Sequence, residues 1–147
     1  MKLFLDTTVF SAYYDKRSTE RLALIKEFWR VLMEHERLSL KLTIEELNQV
    51  KSASLRRKLL DLTNGFTVLK IGDRERELAK EYVKWGMIPV KYLADAIHVA
   101  VAVLGGVDIV VSWNFKHLVK RDTRLLVNYV NTTKGLKNIE ILAPPEV

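Results

Sequence analysis

The chain has 147 residues, 48% of them apolar and 29% charged, with a formal net charge of +6. This length suits one domain spanning residues 1–147, and a mean hydropathy of -0.01 suits a water-soluble globule. The lack of cysteine excludes disulfides, thiolate zinc sites and cysteine nucleophiles. His35, His98 and His117 show no zinc-binding helical spacing, so a bound metal would need oxygen ligands.

In chain order, Lys2-Leu3-Phe4-Leu5 reads as a buried strand, and the following Asp6-Thr7-Thr8 suits the start of a helix. Leu22, Ile25, Phe28, Trp29 and Leu32 predict an amphipathic helix over 19–35. A short strand over 38–42 leads to a helix that Thr43 opens and that carries Glu46, and a further helix covers 54–62. Asn64-Gly65 turns the chain into a strand over 66–71. Asp73 caps a helix to about 85, which Gly86 ends; Pro89 marks the boundary of the next, which reaches Leu104 and stops at Gly105-Gly106. A strand over 108–112, a helix over 121–133 and a strand over 138–142 complete the chain. Trp85 and Tyr13 read as core residues, with a dimer contact or a partner's helix as the alternative.

The longest uncharged apolar stretch, 96–107, contains His98 and two glycines and is too short to cross a bilayer. The first residues lack the basic start, apolar middle and cleavage site of a signal peptide, so the expectation is a cytoplasmic protein without membrane contact. Basic residues cluster at Lys51, Arg56, Arg57 and Lys58, and again at Lys116, Lys120, Arg121, Arg124, Lys134 and Lys137 against the single acid Asp122. Such clusters suit a polyanion whose phosphates supply sequence-independent affinity; a solvated surface is the alternative.

Strands alternating with helices imply a parallel sheet covered on both faces, and ligands of such sheets bind beyond the carboxyl ends of the strands. Asp6, Glu46 and Asn114 each follow a strand and so share that edge. Asp108 opens its strand instead, which sets it roughly 10 Å or more from the edge and excludes it as a ligand. Asp95 interrupts the apolar run from Tyr92 to Leu104, where solvent is not readily available. Each residue has a plain alternative. Asp6 could cap a helix, Glu46 could complete a capping box with Thr43, and Asn114 could occupy a turn. Asp95 could pair with Lys91, while His98 reads as a hydrogen-bonded core histidine and His117 as a surface or packing residue.

The phrases Leu5-Asp6-Thr7-Thr8-Val9-Phe10, Thr43-Ile44-Glu45-Glu46-Leu47, Ala94-Asp95-Ala96-Ile97-His98-Val99-Ala100 and Val111-Ser112-Trp113-Asn114-Phe115-Lys116-His117-Leu118 occur in that order. Together they resemble a PIN domain over essentially the whole chain, and the last resembles a prokaryotic branch of that family. The resemblance implies a three-layer α/β/α sandwich with a parallel five-stranded sheet of order 3-2-1-4-5. It also implies an Mg²⁺- or Mn²⁺-dependent ribonuclease of the toxin–antitoxin type, with RNA as substrate, an antitoxin as partner and a homodimeric state. Asp6 and Asp95 then map onto the metal-binding aspartates, and Glu46 onto the glutamate that contacts metal or its water. Asn114 stands where the family commonly carries a fourth acid, a departure that removes one negative charge. That departure favours the alternative of a degenerate RNA- or protein-binding module. A phosphoacceptor receiver fold is disfavoured, because no lysine ends a late strand and Asp6 comes too early.

Overall fold

The computed structural model describes residues 1–86 and 88–147. Five strands, β1 (Lys2–Leu5), β2 (Glu36–Leu40), β3 (Thr67–Leu69), β4 (Ile109–Val111) and β5 (Glu140–Leu142), form one sheet in the order β3-β2-β1-β4-β5. Every pairing is parallel, with Phe4 opposite Leu38 and Leu5 opposite Val111. The helices are α1 (Thr7–Tyr13), α2 (Thr19–Leu32), α3 (Lys41–Asn48), α4 (Ala53–Leu62), α5 (Asp73–Lys84), α6 (Leu93–Leu104) and α7 (Arg121–Thr133). Short 3-10 turns cover Val90–Tyr92 and Pro144–Glu146. This is the α/β/α sandwich with the 3-2-1-4-5 sheet that the resemblance implied.

The period-two alternation of a strand sorts its residues between the two faces. Leu3, Leu5, Ile109 and Val111 pack against Val9, Phe10, Ile25, Leu47 and Leu59 from α1 to α4. Phe4, Val110, Leu38 and Leu40 pack against Leu78, Tyr82, Val99 and Val127 from α5 to α7. Both faces are buried, so β1 and β4 need the continuous apolar runs seen in the sequence. The sheet order reverses between β1 and β4, and the crevice at their carboxyl ends is the place such folds reserve for ligands. No helix among the described residues is long and apolar enough to cross a membrane.

Several boundaries differ from the sequence reading, one with consequences for the site. β2 ends at Leu40, which is fully buried and pairs with Leu69, and the chain leaves the sheet straight into α3 at Lys41. Leu40 is therefore the N-cap residue and Thr43 lies inside the first turn, so the Thr43–Glu46 capping box does not form. Asp73 is the first residue of α5 rather than its cap; Gly72 caps it and donates its N–H to Glu75 Oε2 at 2.9 Å. Gly65 and Gly106 adopt φ of +82° and +71°, the left-handed backbone that the expected turn and helix stop require. Tyr13 packs in an aromatic cluster with Tyr14 and Trp29, as the sequence suggested. Trp85 does not join the core: it is 46% exposed, edge-on to the exposed Tyr129 of α7, because α5 has already ended.

Among the described residues, a single side-chain hydrogen bond joins α5 to α7 through the apolar layer. The Tyr82 hydroxyl donates to Asn131 Oδ1 at 2.5 Å, and both residues are fully buried. Removing the hydroxyl leaves a buried acceptor without its donor. Tyr82→Phe is expected to lower the free energy of unfolding by about 1–3 kcal/mol, read from urea denaturation midpoints at unchanged slope.

Candidate active site

The site grows out of the turn after β1. Asp6 has extended backbone and is the N-cap of α1, its Oδ1 accepting from the Thr8 N–H at 3.1 Å. The same oxygen accepts from the Thr8 hydroxyl at 2.5 Å, and Oδ2 accepts from the Ser112 hydroxyl at 2.5 Å. Each hydroxyl has one proton, spent on Asp6, so each can only accept from elsewhere. Thr8 Oγ1 accepts the Trp113 N–H and Ser112 Oγ accepts the Asn114 N–H, both at 2.9 Å. The donor directions agree throughout. The carboxyl end of β4 is thereby stitched to the turn after β1.

Asp6 is buried, and burial pushes its carboxyl up to about 6 against the opposing pull of the Ser112 and Thr8 hydrogen bonds. Asp95 stands in the first turn of α6, where the helix macrodipole favours a carboxylate. It is half-buried, and burial raises its pKa while the neighbouring His117 and the Asn114 amide oppose the rise. Lys91 is not its partner: no ion pair to Asp95 exists among the described residues, and Lys91 instead lies over the Tyr92 ring. Glu46 is on the solvent side, and its pKa is raised by partial burial and then by the charge of Asp95, with the Thr7 side chain opposing. Glu46 and Asp95 are thus electrostatic neighbours although 49 positions of chain separate them (95 less 46).

Asn114 connects the parts. Its Nδ2 donates to Asp95 Oδ2 at 3.3 Å, its Oδ1 accepts the His117 N–H at 3.0 Å, and its own N–H reaches Ser112. A continuous path of hydrogen bonds therefore runs from Asp6 through Ser112 and Asn114 to Asp95. His117 is buried against Tyr92, ring centroids 4.1 Å apart, rather than at the surface. His98 is a core residue edge-on to Phe4, but its Nδ1 has no hydrogen-bond partner among the described residues, and burial pushes its pKa down to about 4. Asp108 lies at the opposite end of the sheet, accepting the Lys2 N–H at 2.8 Å and pairing with Lys137. The link between Thr7 and Thr43, hydroxyl to hydroxyl at 3.1 Å, was not foreseen; it ties α1 to α3 beside Glu46.

The oxygen-only donor set suits a hard divalent cation in kind. Among the described residues, no group of three or more histidine, aspartate and glutamate side chains is arranged to hold an ion. Glu46 and Asp95 form the outer pair, and Asp6 turns its two oxygens toward hydroxyls instead of toward that pair. Two acids whose pKa values are raised, chiefly by burial, would gain from a divalent ion electrostatically.

The profile of the PIN domain family matches residues 3–127. The chain belongs to the PIN domain family. Among solved structures, VapBC2 of Rickettsia felis bound to a promoter DNA fragment is similar with a TM-score of 0.63 at 11% identity, covering 97% of this chain and 98% of that one. A toxin–antitoxin complex from Klebsiella pneumoniae is similar with a TM-score of 0.59 at 17% identity, covering 78% and 88%. VapC20 of Mycobacterium tuberculosis, a sarcin–ricin-loop-cleaving toxin, is similar with a TM-score of 0.56 at 16% identity, covering 74% and 86%. These likenesses show the fold. No curated protein sequence matches the chain.

Asp6 also sets a pH dependence. Its folded pKa of about 6 lies above the ordinary value of 3.8, so the folded state holds its proton more tightly than the unfolded chain. Its contribution therefore favours folding below about pH 4 and is lost as pH rises through 6. Asp6→Asn keeps a cap acceptor and removes the charge. It is expected to stabilise the metal-free protein at pH 8 by on the order of 1–3 kcal/mol and to leave stability at pH 4 nearly unchanged, measured by urea denaturation at both pH values.

Proposed function

We propose that this protein is a metal-dependent ribonuclease that hydrolyses RNA phosphodiester bonds in the cytoplasm, acting as the toxin of a toxin–antitoxin pair. The observation that carries the proposal is the Glu46–Asp95 pair of raised acids at the switch point of the sheet, joined through Asn114 and Ser112 to the buried Asp6. Membership of the PIN domain family supports the reaction class. The toxin role is supported by fold likeness to VapBC2 of R. felis and to the K. pneumoniae toxin–antitoxin complex, with an antitoxin as the partner. A homodimer is part of the same proposal, supported by the exposed Trp85 and Tyr129.

Of the three acids expected to hold Mg²⁺ or Mn²⁺, Glu46 and Asp95 would be the ligands, and Asp6, its oxygens on the Thr8 and Ser112 hydroxyls, would stand behind them. When bound, the cation lowers the pKa of a coordinated water and offsets charge on the phosphate oxygens. Glu46 is the most open of the three acids and already has a raised pKa, so it is the group that takes the proton of the attacking water. Asn114 holds Asp95 Oδ2 and thereby fixes the direction of that carboxylate. Thr8 and Ser112 hold Asp6 in one rotamer. Lys116 and Lys120, both exposed, position the RNA backbone by charge.

One observation favours a second reading, a PIN-fold module that binds RNA or a protein without cutting. Asn114 supplies an amide where a fourth carboxylate would add charge, and that amide already occupies Asp95. Calorimetric titration with Mn²⁺ separates the two, since no heat at millimolar metal leaves only the binding module.

For the nuclease, Asp95→Asn and Glu46→Gln are each expected to lower Mn²⁺-dependent cleavage of an RNA panel by at least about 100-fold. An Asp95→Asn protein as active as the parent would refute the assignment. Asn114→Asp restores one negative charge beside Asp95 and is expected to tighten Mn²⁺ binding by on the order of tenfold, read by calorimetry.

A further inference from the structure

Two stretches of chain that meet at Asp95 share a contact to which the proposed reaction assigns no role. Asp95 is the third residue of α6, so its place follows from where that helix starts. The N-cap of the helix is Tyr92, and no side-chain hydrogen bond caps it. Tyr92 instead packs its ring on His117, with centroids 4.1 Å apart and planes inclined by 35°. His117 is buried, and its Nε2 has no hydrogen-bond partner among the described residues. Packing on Tyr92, rather than a bond at that nitrogen, holds the imidazole.

The main chain of the same histidine governs Asn114. Its N–H donates to Asn114 Oδ1 at 3.0 Å, which leaves the Nδ2 end of the amide for Asp95 Oδ2 at 3.3 Å. The His117 carbonyl accepts the hydroxyl of the buried Thr123 at 2.7 Å. The Leu118 and Val119 N–H groups close on the Asn114 carbonyl at 3.0 and 2.8 Å. This closed turn meets the start of α6 at two points, Asn114 on Asp95 and His117 on Tyr92, with the same spacing along each segment (92 to 95 and 114 to 117). One contact fixes a distance and leaves rotation about it; two fix a direction. The amide contact is long for a hydrogen bond, so it does not hold the carboxylate alone. Lys116 from the turn and Lys91 from before α6 place Nζ 5.7 and 5.4 Å from the Tyr92 centroid, so both segments gather on this ring.

We propose that Tyr92 is a positioning residue: its stack on His117 holds the Asp95 carboxylate in register with Asn114 and Glu46, and so sets the affinity of the pair for a divalent cation. The inference rests on the reading of Glu46 and Asp95 as cation ligands and adds a residue, itself no ligand, that orients one of them. Groups that orient a ligand from behind are worth about ten- to a hundredfold in metal affinity when removed. The flat ring is the part that acts, because the contact is made between ring faces.

The test uses the full chain and reads Asp95 twice, without metal and with it. In the metal-free ¹⁵N-labelled protein, the side-chain amide resonances of Asn114 report its contact with Asp95. Tyr92→Leu keeps an apolar side chain and loses the flat face. It is expected to move those resonances toward the positions they take in Asp95→Ala, whereas Tyr92→Phe leaves them at the parent's. By calorimetry, Tyr92→Leu is expected to weaken Mn²⁺ binding about tenfold and Tyr92→Phe less than about twofold. His117→Leu breaks the same stack from the other side and should repeat the Tyr92→Leu result, so one folded variant of the two suffices. A merely structural Tyr92 lowers the melting temperature while Mn²⁺ affinity and the Asn114 resonances, read below the transition, stay at the parent values. That outcome overturns the proposal, and so does an equal loss for Tyr92→Phe and Tyr92→Leu. The cation reading fails separately. A parent that gives no heat with millimolar Mn²⁺, yet whose Asn114 resonances move in Tyr92→Leu and not in Tyr92→Phe, keeps the clamp on Asp95 and loses the metal.

Discussion

The Asp6 carboxylate is the joint on which the candidate site is assembled. A buried acid is costly unless donors surround it, and here two hydroxyls and a backbone amide do so. Because Thr8 and Ser112 each give their single proton to Asp6, each must accept from a main-chain N–H, and those belong to Trp113 and Asn114. This requirement adds to the strand ladder and the Asp6 N–H to Val111 carbonyl bond that join the carboxyl ends of the two adjacent parallel strands. It is what fixes Trp113 and Asn114, beyond the end of the ladder, against the turn after β1.

A second constraint is electrostatic. Glu46 and Asp95 arrive from α3 and α6, on opposite faces of the sheet, and meet where neither is fully hydrated. Nothing in the hydrophobic packing asks for two acids there. Burial raises both carboxyl pKa values, and the charge of Asp95 adds to the rise at Glu46. Sites of this kind are retained for what they bind or do rather than for what they contribute to folding. Asp6 is a third raised acid, its pKa lifted by burial despite three hydrogen bonds.

Much of this was legible in the chain. Continuous apolar strands, amphipathic helices and the Asn64-Gly65 and Gly105-Gly106 stops suffice to predict the βα alternation, because period and turn chemistry are local properties. The ligand-edge rule then placed Asp6, Glu46 and Asn114 on one side and Asp108 on the other. The end of β2 was misplaced by two residues, since a capping box and a helix interior look alike in Thr43-Ile44-Glu45-Glu46; what distinguished them was the pairing of Leu40 with Leu69. Trp85 reads as core on hydrophobicity, with a dimer or partner contact as the alternative, but its direction depends on where α5 stops. Of the two readings of His117, surface or packing, the structure shows packing, against Tyr92 in a turn that sequence periodicity does not describe.

The sequence by itself determined the elements, their order, the parallel sheet they must form and the residue types available at its carboxyl edge. Those follow from short-range sterics and from the pattern of apolar side chains, both of which are written along the chain. Only the tertiary structure decided which oxygen faces which donor. It turned Asp6 to the hydroxyls of Thr8 and Ser112, set Asn114 against Asp95, and left Glu46 and Phe115 open to solvent. Hydrogen-bond direction and desolvation depend on atoms brought together from distant positions, and no local pattern records them.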